Sequence, residues 1–192
     1  MTRQRALVAG LLIFAAAVAL SLWAYRSLPA LVPTHWNLSG HVNGYSSRAL
    51  AAALTPGIAG VVWLLMLLLP IISPRGYRLG ESASAFYVAM LAVMAVLLVI
   101  HSITLHAALV SAAPSFTLMF VAIGALLAVI GSVLGKLKKN FWIGVRTPWT
   151  LASDEVWART NRVVRSIGRN GLTTWRTSTA PDAASNRSGV IV

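Results

Sequence analysis

The chain has 192 residues, of which 57% are hydrophobic and 10% are charged, and its formal net charge is +12. A soluble domain carries about 25% charged residues, so the composition excludes an ordinary soluble protein and indicates a membrane protein. Because Cys is absent, disulfides, thiolate metal sites and Cys nucleophiles are also excluded.

Four apolar runs are long enough to cross a bilayer, which takes about 20 residues. They cover residues 6–25, 51–72, 84 to about 110, and 116–134. The first run is longer than the apolar part of a signal peptide, so we expect a retained helix. The sequence therefore predicts an all-α integral membrane protein with four transmembrane helices. Its predicted regions are 1–50 (first helix and outer loop), 51–135 (helices two to four), 136–170 (cytoplasmic motif and basic amphipathic helix) and 171–192 (disordered tail).

The Lys and Arg residues predict the orientation, because cytoplasmic loops are enriched in them. With the N-terminus inside, fourteen of the sixteen fall on the cytoplasmic side, and Arg26 and Arg48 fall outside. The predicted location is the bacterial cytoplasmic (inner) membrane, with multiple passes and both termini in the cytoplasm. Membrane topology explains the basic charge, so we expect the lipid bilayer as a partner and no direct binding of nucleic acid.

The first outer loop contains the stretch PTHWNLSGHVNGYSS (33–47). Its Ser39-Gly40 and Asn43-Gly44 pairs are turn signals, and Trp36 and Tyr45 are typical of the membrane interface. On the residues alone, this stretch is compatible with an ordinary compact loop resting on the membrane surface.

All four histidines are predicted to lie in the outer half: His35 and His41 in the loop, His101 and His106 in the third helix. Together they could bind a transition metal or titrate as a pH sensor. However, His101 and His106 do not share a helix face, and no H-x-x-x-H spacing occurs. We expect no metal and no cofactor.

Catalysis is not expected. The four acidic residues all fall on the inner side, so the outer loops cannot assemble a carboxylate pair or a complete Ser-His-Asp triad. The inner side has no recognisable set of nucleophile and base.

The segment after the fourth run predicts a basic amphipathic helix. Ser153 is a good N-cap, and Asp154 and Glu155 suit the first turn. One side gathers Val156, Trp157, Val163, Val164 and Ile167, and the other gathers Arg159, Arg162, Arg165 and Arg169. Such a helix is expected on the inner leaflet, as a membrane anchor or as a dock for a cytoplasmic protein.

A GxxxG pattern, Gly131 to Gly135, lies in the fourth run. Small residues at this spacing allow helices to approach closely. We expect it to serve packing within the chain, and homo-oligomerisation is the alternative use.

Two motifs resemble the SdpI family of bacterial membrane proteins, whose members often begin with a domain of unknown function. The outer motif reads Leu28-Pro29, Val32-Pro33-Thr34-His35-Trp36-Asn37 and Gly40-His41-Val42-Asn43-Gly44-Tyr45. The inner motif reads Asn140, Gly144-Val145-Arg146-Thr147-Pro148-Trp149-Thr150-Leu151, Asp154-Glu155-Val156-Trp157 and Thr160-Asn161-Arg162. The chain differs from the family in having Asn43 where an acid is common. It also runs from the second motif into a polar tail instead of further helices, so we expect a shortened member.

The resemblance implies a non-enzymatic role in immunity and signal transduction, because the founding system gives protection from a secreted toxic peptide and holds a transcriptional repressor at the membrane. It implies two partners, an extracellular peptide toxin and a cytoplasmic transcriptional regulator. The expected outer binding residues are Pro33, His35, Trp36, Asn37, Gly40, Gly44 and Tyr45. The expected inner binding residues are Asn140, Gly144, Arg146, Thr147, Pro148, Trp149, Trp157 and Asn161.

A small membrane transporter or ion-conducting protein is the alternative function. It would need polar groups around a cavity at the midplane of the membrane, and the sequence offers Ser102, Thr104 and His101 for this purpose.

Overall fold

The computed structural model describes residues 1–37, 41–74 and 78–170, with side chains described as far as residue 162. Four long helices form a bundle: α1 (Arg3–Tyr25), α2 (Arg48–Leu68), α3 (Ala83–Leu109) and α4 (Phe116–Leu134). Each is long and apolar enough to cross a membrane, which confirms the four predicted spans and the mostly helical fold. Two further helices follow, α5 (Pro148–Ala152) and α6 (Asp154–Asn170).

Side chains that were not part of the apolar runs set several helix ends. Ser47 caps α2 by accepting a hydrogen bond from the backbone N–H of Leu50, so α2 begins before the apolar run. Ser115 caps α4 in the same way, through the N–H of Leu118. Helix α2 ends at Leu68, close to Pro70, which has no N–H to continue the helical hydrogen bonds.

Between α1 and α2 the chain forms an antiparallel β-hairpin, which the sequence did not predict. Its strands are β1 (Leu31–Trp36) and β2 (Val42–Ser47). The pair Asn43-Gly44 therefore lies within a strand, and its interpretation as a turn was wrong. The register shifts around His35, which pairs with Gly44. The other turn signal, Ser39-Gly40, lies outside the described residues.

The loops divide the molecule into two ends. The hairpin end holds β1, β2 and the connection from α3 to α4, and there the Trp36 and Phe116 rings meet edge to face with centroids 6.4 Å apart. The helical end holds the N-terminus, a 3-10 turn (Gly80–Ser82), α5 and α6. The amino group of Met1 donates to Ser84 Oγ across 2.9 Å at this end.

Helix α4 lies at the edge of the bundle, where it contacts α3 and α6. Of its residues, Val133 alone is buried. A Cβ built on Gly131 would meet no heavy atom within 4 Å among the described residues. The expectation that the GxxxG pattern serves packing within the chain is therefore wrong for Gly131, because the helix neighbours of α4 lie on its other side. Homo-oligomerisation remains a prediction.

Candidate functional site

The hairpin is fixed to the helices by an apolar cluster at its base. Leu28 and Val32 are 1% and 3% exposed, and they pack with residues of α2 and α3 such as Ala52 and Leu105. The backbone N–H of Arg48 donates to Ala30 O across 3.0 Å, which ties the start of α2 to the start of β1. The hairpin is thus presented on a helical scaffold.

Hydrogen bonds within the outer motif shape the hairpin itself. His35 Nδ1 lies 2.5 Å from Asn43 Oδ1, and because an amide oxygen only accepts, His35 donates through Nδ1. The side chain of Asn37 accepts from the backbone N–H of His41 across 2.9 Å. Gly44 lies so close to His35 that a Cβ on Gly44 would come within 2.8 Å of His35 Cβ. Three predicted site residues therefore hold the hairpin in shape.

A pocket of about 360 Å³ lies between the hairpin and the end of α3. Three of the predicted site residues line it: Pro33, Trp36 and Tyr45. The Tyr45 side chain is 60% exposed, so an aromatic face is open to a ligand at the rim. Gly40, the remaining predicted outer residue, lies outside the described residues.

The histidines do not form one cluster. Within the described residues, no group of three or more His, Cys, Asp or Glu side chains is placed to hold a metal ion. His101 is buried, whereas His35, His41 and His106 are exposed. Metal binding at the described histidines therefore has no geometric support.

His101 belongs to a buried polar network that joins three helices. Pro56 lacks the N–H that would bond to Ala52 O in a regular helix, so this carbonyl needs another donor. Ser21 Oγ donates to it across 2.7 Å. Ser21 has then used its proton, so His101 Nε2, which is 2.8 Å from Ser21 Oγ, acts as the donor to Ser21.

Asn140 organises the inner motif. Its side chain is fully buried, and its amide group donates to Lys138 O and Ile143 O across 2.9 and 3.0 Å. Its oxygen accepts from the backbone N–H groups of Trp142 and Ile143, both across 2.9 Å. One side chain thereby satisfies four backbone groups of a loop that has no regular structure of its own.

Gly144, Trp157 and Asn161 form a second buried unit. Asn161 Oδ1 accepts from Val145 N across 3.0 Å, and Trp157 Nε1 donates to Leu137 O across 2.9 Å. Gly144 has φ +120°, and a Cβ there would lie 2.9 Å from the Trp157 ring. Trp157 is 2% exposed and packs against α3 and α4. Its expected place on a lipid-facing side of α6 was therefore wrong.

The sequence TPWT forms a capping box at the start of α5. Thr147 Oγ1 accepts from Thr150 N across 3.2 Å, and Thr150 Oγ1 accepts from Thr147 N across 2.7 Å. Pro148 occupies the first turn, where its missing N–H costs nothing. Thr150 is buried but was not among the predicted site residues, although the S/T-x-x-T spacing could have indicated its role.

Several residues of the inner motif lie at the surface outside this buried framework, and Arg146, Pro148 and Trp149 are those among the predicted site residues. Trp149 is 65% exposed. Arg146 is exposed as well, where its guanidinium lies 5.5 Å from the centre of the Phe141 ring and donates to Phe141 O. Arg146 and Trp149 therefore present large side chains at the surface next to the framework.

Serines that sequence reasoning missed attach the inner motif to the bundle. Ser82, fully buried, accepts from Lys138 N across 2.9 Å and is placed to donate to Lys138 O. Trp142 Nε1 donates to Ser73 Oγ across 2.6 Å, which links the motif to the end of α2. Isolated serines in polar loops carry no pattern, so no sequence signal marks them.

Helix α6 carries its charge outward. Its Glu155 pairs with Arg159 one turn later, and Lys139 pairs with Asp154, both with N–O distances of 2.7 Å. Arg159 and Arg162 are exposed. The remaining residues of the predicted amphipathic pattern, from Val163 to Arg169, have side chains outside the described part of the structure.

Two family models match the chain at the two motifs. A domain of unknown function, DUF1648, matches residues 12–60, and the SdpI/YfhL protein family matches residues 136–177. No curated protein and no solved structure gives a significant match. The second family is one of membrane immunity proteins, not a known enzyme family. With its four apolar helices, this chain is a multi-pass membrane protein, and its resemblance to the SdpI-like family with an N-terminal domain of unknown function is confirmed.

Proposed function

We propose that this chain is a non-enzymatic immunity protein whose hairpin binds an extracellular peptide. The observation that carries the proposal is the pocket between the hairpin and α3, which Trp36 and Tyr45 line. A two-stranded hairpin leaves the outer edge of each strand without a neighbouring strand, and an extended peptide can pair with such an edge while a side chain enters a pocket. The apolar base of the hairpin keeps this surface pre-organised.

The proposal places the hairpin outside the cell and both chain ends in the cytoplasm of a bacterium. The distribution of Lys and Arg supports this orientation. Because the chain has no Cys, single cysteines give a clean test. Ala113→Cys, in the connection from α3 to α4, should react with an impermeant thiol reagent in intact cells. Ala152→Cys, in α5, should react only after lysis, and the reverse result would overturn the orientation.

On the cytoplasmic side, we infer a docking surface for a transcriptional regulator around Arg146 and Trp149. Both are exposed; Asn161 and Thr150 bond the backbone of Val145 just before Arg146, and Thr150 bonds the backbone of Thr147 between the two residues. Arg and Trp are the residue types most enriched at the energetic centres of protein interfaces. The exposed Arg162 would favour an acidic partner surface, whereas Arg159 is paired with Glu155.

A transporter or channel has less support from the geometry. Ser102 Oγ donates to Leu98 O, and Thr104 Oγ1 donates to backbone oxygens of its own helix. His101 is occupied by Ser21. The polar side chains that the alternative requires are thus engaged in the bundle.

The experiment that tests the immunity function is protection of a sensitive bacterial host. Host cells expressing the chain are challenged with a panel of secreted membrane-active peptides. We expect protection against at least one peptide, and its loss in Trp36→Ala and Tyr45→Ala at equal membrane abundance. Trp23→Ala is the control, because Trp23 is exposed on α1 and lies away from the pocket. Protection that survives both hairpin substitutions would rule out the hairpin as the recognition surface.

A further inference from the structure

Two apolar grooves run side by side along α2 in the half of the bundle nearest the hairpin. The first, of about 390 Å³, lies between α1 and α2, and the second, of about 410 Å³, lies on the neighbouring face of α2 and is lined by α2 residues alone. Both are lined by Ala53 and Gly57, which are four residues apart and therefore on one helix face. We call these two residues the saddle.

The first groove exists because α2 presents small residues where α1 presents large ones. Ala49, Ala53 and Gly57 face the first groove from α2, opposite Phe14 and Leu22 of α1. A Cβ on Gly57 would meet nothing within 4 Å among the described residues. The saddle is thus a low ridge on the outer surface of the bundle with an apolar channel on either side.

Positive charge stands at the hairpin end of the same grooves. Arg26 and Arg48 flank the hairpin, and none of the chain's four acidic residues falls between them in sequence. The Arg48 guanidinium lies 5.9 Å from the ring centre of Tyr25, a residue that also lines the first groove. Arg48 donates through Nε to Pro29 O, and neither of its terminal nitrogens has a hydrogen-bond partner in the described part of the chain.

We propose that this surface binds one anionic diacyl phospholipid. One acyl chain occupies each groove, so that the lipid straddles the saddle. The phosphate accepts hydrogen bonds from the terminal nitrogens of Arg48, and Arg26 adds charge attraction. An Arg guanidinium presents paired donors that match phosphate oxygens, and among the described residues no carboxylate forms an ion pair with Arg48.

The presence of two adjacent grooves below one basic end supports a bound diacyl lipid over a general contact with the bilayer. A single acyl chain would fill one groove without using the second. A diacyl lipid uses both grooves, and its headgroup then lies at the membrane surface where α2 begins at Arg48. The site does not depend on the proposed peptide recognition.

Native mass spectrometry of the detergent-purified full chain tests the proposal, with dioleoyl phosphatidylglycerol and dioleoyl phosphatidylcholine as probes. We expect one molecule of the anionic lipid to be retained per chain, with about fivefold higher affinity than the zwitterionic lipid. Gly57→Leu should abolish retention, because the new side chain fills the saddle between the acyl chains. Arg48→Gln should remove the preference for the anionic lipid.

Gly124→Leu is the matched control. Gly124 is also an exposed helical glycine whose Cβ would meet nothing within 4 Å, but it lies on α4, away from the grooves. It should retain the lipid as the unchanged chain does. Equal retention in Gly57→Leu and Gly124→Leu, or binding of several lipids without saturation, would overturn the proposal.

Discussion

The two motifs at opposite ends of the bundle use similar residue types in different ways. In the hairpin, His35, Asn37 and Tyr45 are exposed, and the side-chain hydrogen bonds described for His35 and Asn37 stay within the hairpin. At the helical end, Asn140 and Asn161 are 0% and 1% exposed, and each makes several hydrogen bonds to the backbone. The difference teaches that a motif rich in Asn, Trp and Gly can be a surface for recognition or a framework inside the protein.

This comparison changes what loss of function would mean at each end. A substitution in the helical motif should act through stability, because its side chains satisfy buried backbone groups. A substitution at the exposed rim of the hairpin pocket, such as Tyr45→Ala, should leave the fold intact and act on recognition. Paired substitutions of the same residue type at the two ends can therefore separate framework from surface.

Substitution of the two motif glycines, Gly144 and Gly44, should give the largest difference in unfolding free energy between the two ends. Gly144→Ala places a methyl group 2.9 Å from the Trp157 ring at a backbone φ of +120°. The clash and the strained backbone together should cost about 4 kcal/mol of unfolding free energy. Gly44→Ala also meets a close neighbour, His35 Cβ, but both residues lie on the part-exposed hairpin and Gly44 has no positive φ. We expect it to cost about 1–2 kcal/mol, because the strands must move apart to admit the methyl group.

Unfolding of the purified variants in a denaturing detergent, followed by near-UV circular dichroism, measures both costs. The Gly144→Ala variant should lose the near-UV bands of its buried Trp residues at a lower fraction of denaturing detergent than the Gly44→Ala variant. Equal midpoints for the two variants would break the distinction between the ends.

Substitution of two asparagines, Asn140 and Asn37, should give the next largest difference in unfolding free energy. Asn140→Ala leaves the Ile143 carbonyl and the N–H groups of Trp142 and Ile143 without their partner, whereas Lys138 O keeps Ser82 Oγ as a donor, so we expect a loss of about 3 kcal/mol and low membrane abundance. Asn37→Ala removes exposed hydrogen bonds of the hairpin and should cost about 0.5–1 kcal/mol. The measurements are quantitative blotting of membranes and the same denaturation. Normal abundance of the Asn140 variant would show that water can replace its side chain.

The sequence predicted the four spans because helix length and apolar composition are properties of contiguous residues. The same reasoning failed at the hairpin. Asn43-Gly44 has the composition of a turn, but the tertiary contact between Gly44 and His35 places it in a strand. Local propensity cannot report such a contact, because the partner residue lies on the other strand of the hairpin.

The candidate site shows the same limit. The motif residues Asn140, Trp157 and Asn161 were named from the resemblance, yet their burial follows from the folding of the loop and α6 onto α3 and α4. Ser82 and Ser73, which attach that loop to the bundle, have no motif at all. Sequence patterns could not predict these hydrogen bonds, because the bonded residues lie far apart in sequence.

A third prediction concerns the support beneath the hairpin. Ser21→Ala leaves Ala52 O, which Pro56 has freed from the helix, without a donor, and it removes the partner of His101. We expect a loss of about 1–2 kcal/mol in the denaturation assay. The double variant Ser21→Ala/Pro56→Ala should recover part of this loss, because Ala at 56 has an N–H that can bond to Ala52 O. Additive losses in the double variant would show that the serine acts in another way.

Substitution of Arg146 should have the smallest effect on the free energy of unfolding. This test distinguishes the outward-facing part of the helical motif from its buried framework. Arg146→Lys keeps the charge but loses the planar guanidinium that stacks on Phe141 and donates to its carbonyl. Because the site is exposed, stability should fall by only about 0.5–1 kcal/mol. Partner docking should be impaired much more, since bidentate contacts require the planar group.

Lys138→Arg is the control, because the described contacts of Lys138 are made by its backbone. The two variants are compared by protection in the challenged host and by co-purification of cytoplasmic proteins at equal membrane abundance. If Arg146→Lys matches the unchanged chain in both assays, the charge alone is sufficient and Arg146 is an electrostatic anchor to the membrane surface.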